Sequence, residues 1–187
     1  DGPAVWERGN PTSGPWGAHV GSNCVATVLG GNYPDGNLDT RLESPRFVVP
    51  GAEEHPRLRF WHWYAFGSGD SGSVQIRVVG SNTWETLASY STYSGWYWLY
   101  PSLDLSAYAG REVQLGFLLS IRAVNYQSYD VGPGWYIDEI LVVRSEPAVM
   151  DPVSAPISFE GETSPEFWSR WESTKGVWEM GVPTTVP

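Results

Sequence analysis

The sequence predicts an all-β protein, an antiparallel β-sandwich or jelly roll. Three observations carry this. Apolar and polar residues alternate over short runs, the period of a strand with one buried face. Gly, Pro, Ser, Asn and Asp punctuate these runs at short intervals, as turns between antiparallel strands require. Finally, no amphipathic helical run with apolar residues spaced three and four apart is present.

Residues 24–29 form the first predicted strand, and 46–49 the next, closed by Pro50 and Gly51. Residues 58–66 place Leu58, Phe60, His62, Tyr64 and Phe66 on one face, with Arg59, Trp61, Trp63 and Ala65 on the other. Val74, Ile76 and Val78 alternate with Gln75 and Arg77, and residues 83–90 make a further short strand. Val113, Leu115, Phe117, Leu119 and Ile121 form the longest alternating row, and residues 136–143 close the series. This gives a sandwich body over residues 1–144. Residues 145–156 carry Pro147, Pro152 and Pro156, which hold a linker extended and keep it from continuing the sheet as a central strand. A further strand signal follows in residues 157–187, which begin Ile157-Ser158-Phe159-Glu160.

The chain has 187 residues, enough for one good core. Its 21 acidic residues against 11 basic ones give a net charge of −10. That balance excludes nucleic acid and anionic membrane surfaces as partners, since both need a basic footprint. No run approaches the ~20 apolar residues of a membrane span. The composition fits a secreted or cell-surface protein. Cys24 is the single cysteine, so no internal disulfide forms, and its place in a strand predicts a buried, inert thiol.

Residues 177–187 repeat residues 5–15, with seven of eleven positions identical. Trp6-Glu7 returns as Trp178-Glu179, and Gly9, Pro11, Thr12 and Pro15 all recur. The expectation is one repeat unit followed by the start of another.

A set of motifs runs through the body in order: Trp6-Glu7-x-Gly9-x-Pro11; Leu29-Gly30-Gly31-Asn32-Tyr33; Leu42-Glu43-Ser44-Pro45; Phe60-Trp61-His62-Trp63-Tyr64; Gly72-Ser73-Val74-Gln75-Ile76; Asp104-Leu105-Ser106; and Gly134-Trp135-Tyr136-Ile137-Asp138. Over residues 5–143 the chain resembles the MAM-like jelly-roll modules of bacterial secreted and surface proteins, including those that accompany immune-inhibitor-A-type peptidases. The resemblance implies a non-catalytic, adhesive, substrate-binding or architectural part. It also implies a Phe-Glu strand upstream of the Trp-Glu motif. Here Phe159-Glu160, Trp168 and Trp171 stand at the far end instead.

A sandwich without one strand exposes an edge and part of its core. Three arrangements would supply it. Residues 157–187 complete the next copy by donor-strand complementation, giving head-to-tail rings or filaments. Alternatively the chain is a segment cut from a tandem array, or the segment folds back on its own body. Ile157, Phe159, Trp168, Trp171 and Trp178 are the candidate self-association residues.

The resemblance further implies structural calcium between Glu160 and Asp138, with Glu139 nearby, carboxylates suiting a hard cation; the competing reading is that Asp138 caps a sheet edge or accepts backbone hydrogen bonds with no metal. Asp35-Gly36-Asn37-Leu38-Asp39 has the spacing of half an EF-hand loop, but Thr40 and Arg46 break the rest of it. An ordinary turn with Asx hydrogen bonds competes with the calcium reading at Asp35, Asn37 and Asp39. Trp96 and Trp98, with Tyr90, Tyr93, Tyr97 and Tyr100, form the densest aromatic cluster. Flat rings there suit a glycan-stacking platform, and core packing is the competing reading. Tyr126 and Tyr129 form a second candidate ligand surface.

No catalytic motif is found. His19, His55 and His62 are scattered, without a zinc-binding His-Glu-x-x-His, and there is no Gly-x-Ser-x-Gly elbow and no P-loop. His62 reads as a satisfied core histidine. The leading expectation is a non-catalytic extracellular sandwich with a self-assembly role. The alternatives are a carbohydrate-binding or adhesion module, and an accessory domain of a secreted metallopeptidase.

Overall fold

The computed structural model describes residues 6–123 and 131–144. These lie in the first of two units into which the chain divides, Asp1–Ala148. The linker 145–156, the segment 157–187, and Tyr126 and Tyr129 lie outside the described residues.

Ten strands follow in chain order: β1 (Glu7–Gly9), β2 (Cys24–Ala26), β3 (Leu38–Glu43), β4 (Phe47–Val48), β5 (Pro56–Ala65), β6 (Ser71–Val78), β7 (Glu85–Ser91), β8 (Ser102–Asp104), β9 (Glu112–Ile121) and β10 (Gly134–Arg144). The first sheet has the spatial order β1-β2-β10-β5-β8. The second has the order β3-β9-β6-β7, with β4 also pairing with β9. All pairs are antiparallel. Two single-turn 3-10 helices, Ala52–Glu54 and Ser106–Tyr108, are the only helical elements described. The fold is the all-β sandwich that the alternation predicts.

The long alternating rows form the facing layers. Val113, Leu115, Phe117, Leu119 and Ile121 of β9 are at most 1% exposed and pack with Leu58 and Phe60 of β5 in one core. Three strands escape the sequence reading. β1 and β8 have three residues each, too few to show a period. β3 is polar at four of six positions, because its outer residues Asp39, Arg41 and Glu43 cover the solvent side. The first predicted strand, 24–29, ends at Ala26 instead. Thr27 then clasps β10: its N–H donates to the Trp135 carbonyl at 2.9 Å and its Oγ1 accepts from the Trp135 N–H at 3.0 Å.

Trp135 sits at the centre of the core, fully buried. Its ring lies 5.7–6.3 Å from the rings of Trp6, His62, Phe66, Tyr90 and Phe117. Gly72 of β6 makes room for it, since a Cβ there would lie 2.7 Å from the indole. Tyr90 stands opposite Gly72 in the β6–β7 pairing. That register turns Tyr90 into the core, which removes it from the predicted aromatic platform.

His62 is 1% exposed, a core histidine as read from the sequence. It is only half satisfied: Nδ1 accepts from the Trp135 indole N–H at 3.2 Å, while Nε2 has no polar partner among the described residues. The rings of Phe60, Tyr64 and Tyr90 pack around it. Burial among them pushes its pKa down from 6.5 to about 4. The buried Asp70 is fully engaged instead. One oxygen accepts from the Tyr33 hydroxyl at 2.5 Å and the other from the Arg122 backbone N–H at 2.7 Å.

Two predictions follow from this core. Unfolded His62 takes a proton near pH 6.5 and folded His62 only near pH 4, so stability falls as pH drops between these values, by about 3 kcal/mol. His62→Phe orphans the Trp135 N–H and lowers stability at pH 7, but flattens the loss between pH 6.5 and 4. Urea midpoints at the two pH values check this. Gly134 has φ +97°, and a Cβ there would strike the Thr27 hydroxyl that holds Trp135. Gly134→Ala is expected to cost about 2–4 kcal/mol through backbone strain and the broken clasp, read from the urea midpoint at unchanged slope.

Candidate binding face

The outer surface of the first sheet carries the densest aromatic chemistry. Strand alternation puts it there: Trp135 and Ile137 of β10 point into the core, so Tyr136 and Asp138 point out. On β5 the outward set is Arg59, Trp61, Trp63 and Ala65. Trp63, Tyr136, Cys24 and Ala26 form a second, smaller cluster on this side, with Ala18, Leu29, Ala65 and Trp98 packed against it.

Two loops cover the cluster. The loop of residues 13–20 is anchored on Tyr136, whose hydroxyl lies 2.8 Å from Ser13 Oγ. Gly14 runs directly over the tyrosine ring at φ +67°, and a Cβ there would lie 2.5 Å from the ring, so only glycine fits. The loop of residues 92–100 runs beside β5. His62 and Leu99 exchange backbone hydrogen bonds of 2.9 and 2.8 Å, Ser94 N–H donates to the Tyr64 carbonyl, and the Trp63 indole donates to the Gly95 carbonyl at 3.0 Å. The loops meet where His19 packs at 6.0 Å against the Trp98 ring.

A continuous stack crosses this face. The Arg59 guanidinium lies 4.0 Å above the Tyr100 ring. Tyr100 stacks on Trp61 at 4.5 Å, and Trp61 stacks on His19 at 3.8 Å and 13°. His19 Nδ1 then meets Glu139 Oε2 at 3.0 Å. The stack therefore runs from a cation at one end to a carboxylate at the other. Arg59 Nε is buried without a partner among the described residues.

In these two loops three rings stand almost free: Trp16 is 80% exposed, Trp96 87% and Tyr97 80%. Tyr93 is 45% exposed, with its ring edge toward Trp96. The aromatic cluster predicted from sequence therefore divides by depth. Trp96 and Tyr97 face solvent, while Trp98 turns under them into the second cluster, a correction to its reading as a platform residue. Alternation does not explain the division, since Trp96 and Trp98 are two residues apart; the backbone bonds between Leu99 and His62 hold the Trp98 end of the loop against β5. Trp16, Trp61 and His19 were missed in the sequence. The outward face of 58–66 signalled Trp61, but only the fold brings residues 13–20 over it.

The described carboxylates named for calcium each have a protein partner. Asp138 uses both oxygens on backbone N–H groups, Oδ2 from Val20 at 3.1 Å and Oδ1 from Glu139 at 2.9 Å. Glu139 pairs with His19, and Glu160 lies outside the described residues. Asp35 accepts from the Gly36 N–H, Asn37 from the Ala123 N–H, and Asp39 pairs with Arg122 at 2.7 Å. The Arg122 contact holds the Asp39 carboxyl below its usual range. Asp39 belongs to β3, while Asp35 and Asn37 lie in the irregular segment before it, so the three are spread over a loop and a strand. Among the described residues no three of His, Cys, Asp or Glu are grouped to hold a metal, and no helix is long and apolar enough to cross a membrane.

No family model matches the chain. Over 140 residues it is 31% identical to Bacillopeptidase F of Bacillus subtilis (strain 168), a match covering 73% of this chain. The match spans only 9% of that protein's length. Among solved structures, the carbohydrate-binding module TmCBM61 in complex with β-1,4-galactotriose superposes with a TM-score of 0.51 at 16% identity, covering 77% of this chain and 85% of that one. The K1 cleaved adhesin domain of Lys-gingipain from Porphyromonas gingivalis W83 also superposes with a TM-score of 0.51, at 17% identity, covering 77% and 86% of the two chains. At these identities the likeness establishes the jelly-roll fold.

Cys24 lies at the base of the face, 3% exposed. Burial, and next the charge of Asp138, push its thiol up to about 11. Only a thiolate reacts readily, so native protein at pH 8 is expected to modify with a disulfide reagent about a hundredfold more slowly than urea-unfolded protein. Equal rates would show that the 13–20 loop opens freely.

Proposed function

We propose that this chain is a non-catalytic, extracellular carbohydrate-binding or adhesion module, and that the outer face of its first sheet holds the ligand. One observation carries the reading. Trp16, Trp96 and Tyr97 are each at least 80% exposed on two loops anchored over the same packed cluster. Large rings are left in water where they serve a contact, and single exposed apolar residues are ordinary while a group of them is informative. The layer beneath already pairs its rings with one another, so the free faces above it are the ones that can stack on a pyranose. Arg59 at one end of the stack and Glu139 at the other supply a donor and an acceptor for hydroxyls.

The galactotriose complex of a module with the same fold supports a glycan as the ligand class, and the adhesin domain supports a surface role. Likeness to a stretch of Bacillopeptidase F supports a place beside a peptidase in a longer chain. The motifs quoted above keep MAM-like modules as the family reading. A second reading, units joined head to tail, is favoured by the recurrence of residues 5–15 at 177–187.

Titration calorimetry against β-1,4-galactan oligosaccharides, with a glycan array for other linkages, tests the first reading. Trp96→Ala and Tyr97→Ala are each expected to weaken binding about tenfold, near 1.4 kcal/mol, with the melting temperature unchanged. Trp98→Ala should lower the melting temperature, because that ring is packed. Absence of glycan binding by the unaltered chain would overturn the reading.

A further inference from the structure

One edge of the first sheet has no partner strand among the described residues. β2 pairs with β10 only at Tyr136 and Ile137. From Asp138 to Arg144, β10 pairs with β5 on one side, and no described strand pairs with its other edge. A bulge between Asp138 and Leu141, with Glu139 at φ +47°, re-aims the strand there. Ile140 and Leu141 are 40% and 47% exposed.

Beneath this edge is a cleft of about 440 Å³. Ile140 and Val142 of β10 form one wall, Leu42 and Phe47 at the β3–β4 corner the other, and Leu115 and Phe117 line it from β9. The cleft opens between the sheets where the first falls short of the second. A small apolar molecule could fill such a trough but would leave the edge N–H and C=O groups of β10 unmatched. An extended chain satisfies both demands, with main-chain bonds along the edge and alternate side chains in the trough.

We propose that this cleft accepts residues 157–160 of a second copy of the chain, with Ile157 and Phe159 filling the trough and Ser158 and Glu160 facing out. Three observations select this occupant. The segment Ile-Ser-Phe-Glu has the period of two that the trough requires. It stands upstream of Trp178-Glu179, the recurrence of Trp6-Glu7, and Glu7 opens β1. In the order β1-β2-β10, β1 lies on the side of β10 that this edge faces; its register leads the residues before Glu7 toward Gly134, and the 17 residues between Glu160 and Trp178 are long enough to run back from there to Asp138. The proposal rests on the reading that units join end to end, and is independent of the glycan reading.

Complementation of full-length chains tests it. Ile140→Asp spoils the acceptor at a side chain already exposed, and Phe159→Asp spoils the donor. Light scattering across a concentration series should show the unaltered chain growing in mass, each variant alone monomeric, and an equimolar mixture stopping at a dimer. Unchanged melting of Ile140→Asp confirms that it folds. Assemblies that persist in both variants would overturn the strand site while leaving end-to-end joining intact. A monomeric unaltered chain at every concentration would overturn both, and equal loss of thermal stability in the two variants would then point to fold-back within one chain.

Discussion

Everything in this sandwich is arranged around the indole of Trp135. It is the largest fully buried side chain among the described residues, it comes from the central strand of one sheet, and it lies over Gly72 of the other. A ring of this size between two sheets ~10 Å apart can be accommodated only where the facing strand lacks a side chain. Burying such a ring is worth about 3–5 kcal/mol against alanine. The position also carries polar obligations: backbone groups of Trp135 are met by Thr27 and its indole N–H by His62. Trp135 thereby sets the register of β10, the end of β2 and the protonation state of a buried histidine.

The outer face is the other side of the same constraint. With Trp135 and Ile137 turned inward, Tyr136 and Asp138 must point out. Tyr136 then anchors the 13–20 loop, while Asp138 accepts the Val20 N–H that ends it. One tripeptide of β10 thus joins the core to the candidate binding surface. The face is built in two depths, a lower layer of mutually stacked rings and an upper layer of free ones. The lower layer is rigid because each ring has a neighbour, and rigid support lets an exposed ring bind without losing much side-chain entropy.

The strong rows of alternation were legible because a two-sided strand with one buried face cannot hide its period. The Val113-to-Ile121 row and the two faces of 58–66 read directly. β3 did not, because Thr40 interrupts its inward row, leaving only Leu38 and Leu42 apolar among six residues. Trp96 and Trp98 look equivalent in sequence, two residues apart in a stretch dense with aromatics. Their different depths depend on how the 92–100 loop is hydrogen-bonded to β5, a long-range fact with no local signature.

The sequence by itself determined the all-β class and the buried state of His62 and Cys24. Each follows from composition or period, which are local properties. The tertiary structure decided which aromatic rings are free, that residues from positions 13–20, 96–100 and 138–139 share one face with Arg59 and Trp61, and that of Asp35, Asn37 and Asp39 only Asp39 lies in a strand. Those outcomes depend on sheet order and loop anchoring across more than a hundred residues of chain. The recurrence of Trp-Glu-x-Gly was visible from the start, whereas the β10 edge that no described strand pairs became visible only in the fold.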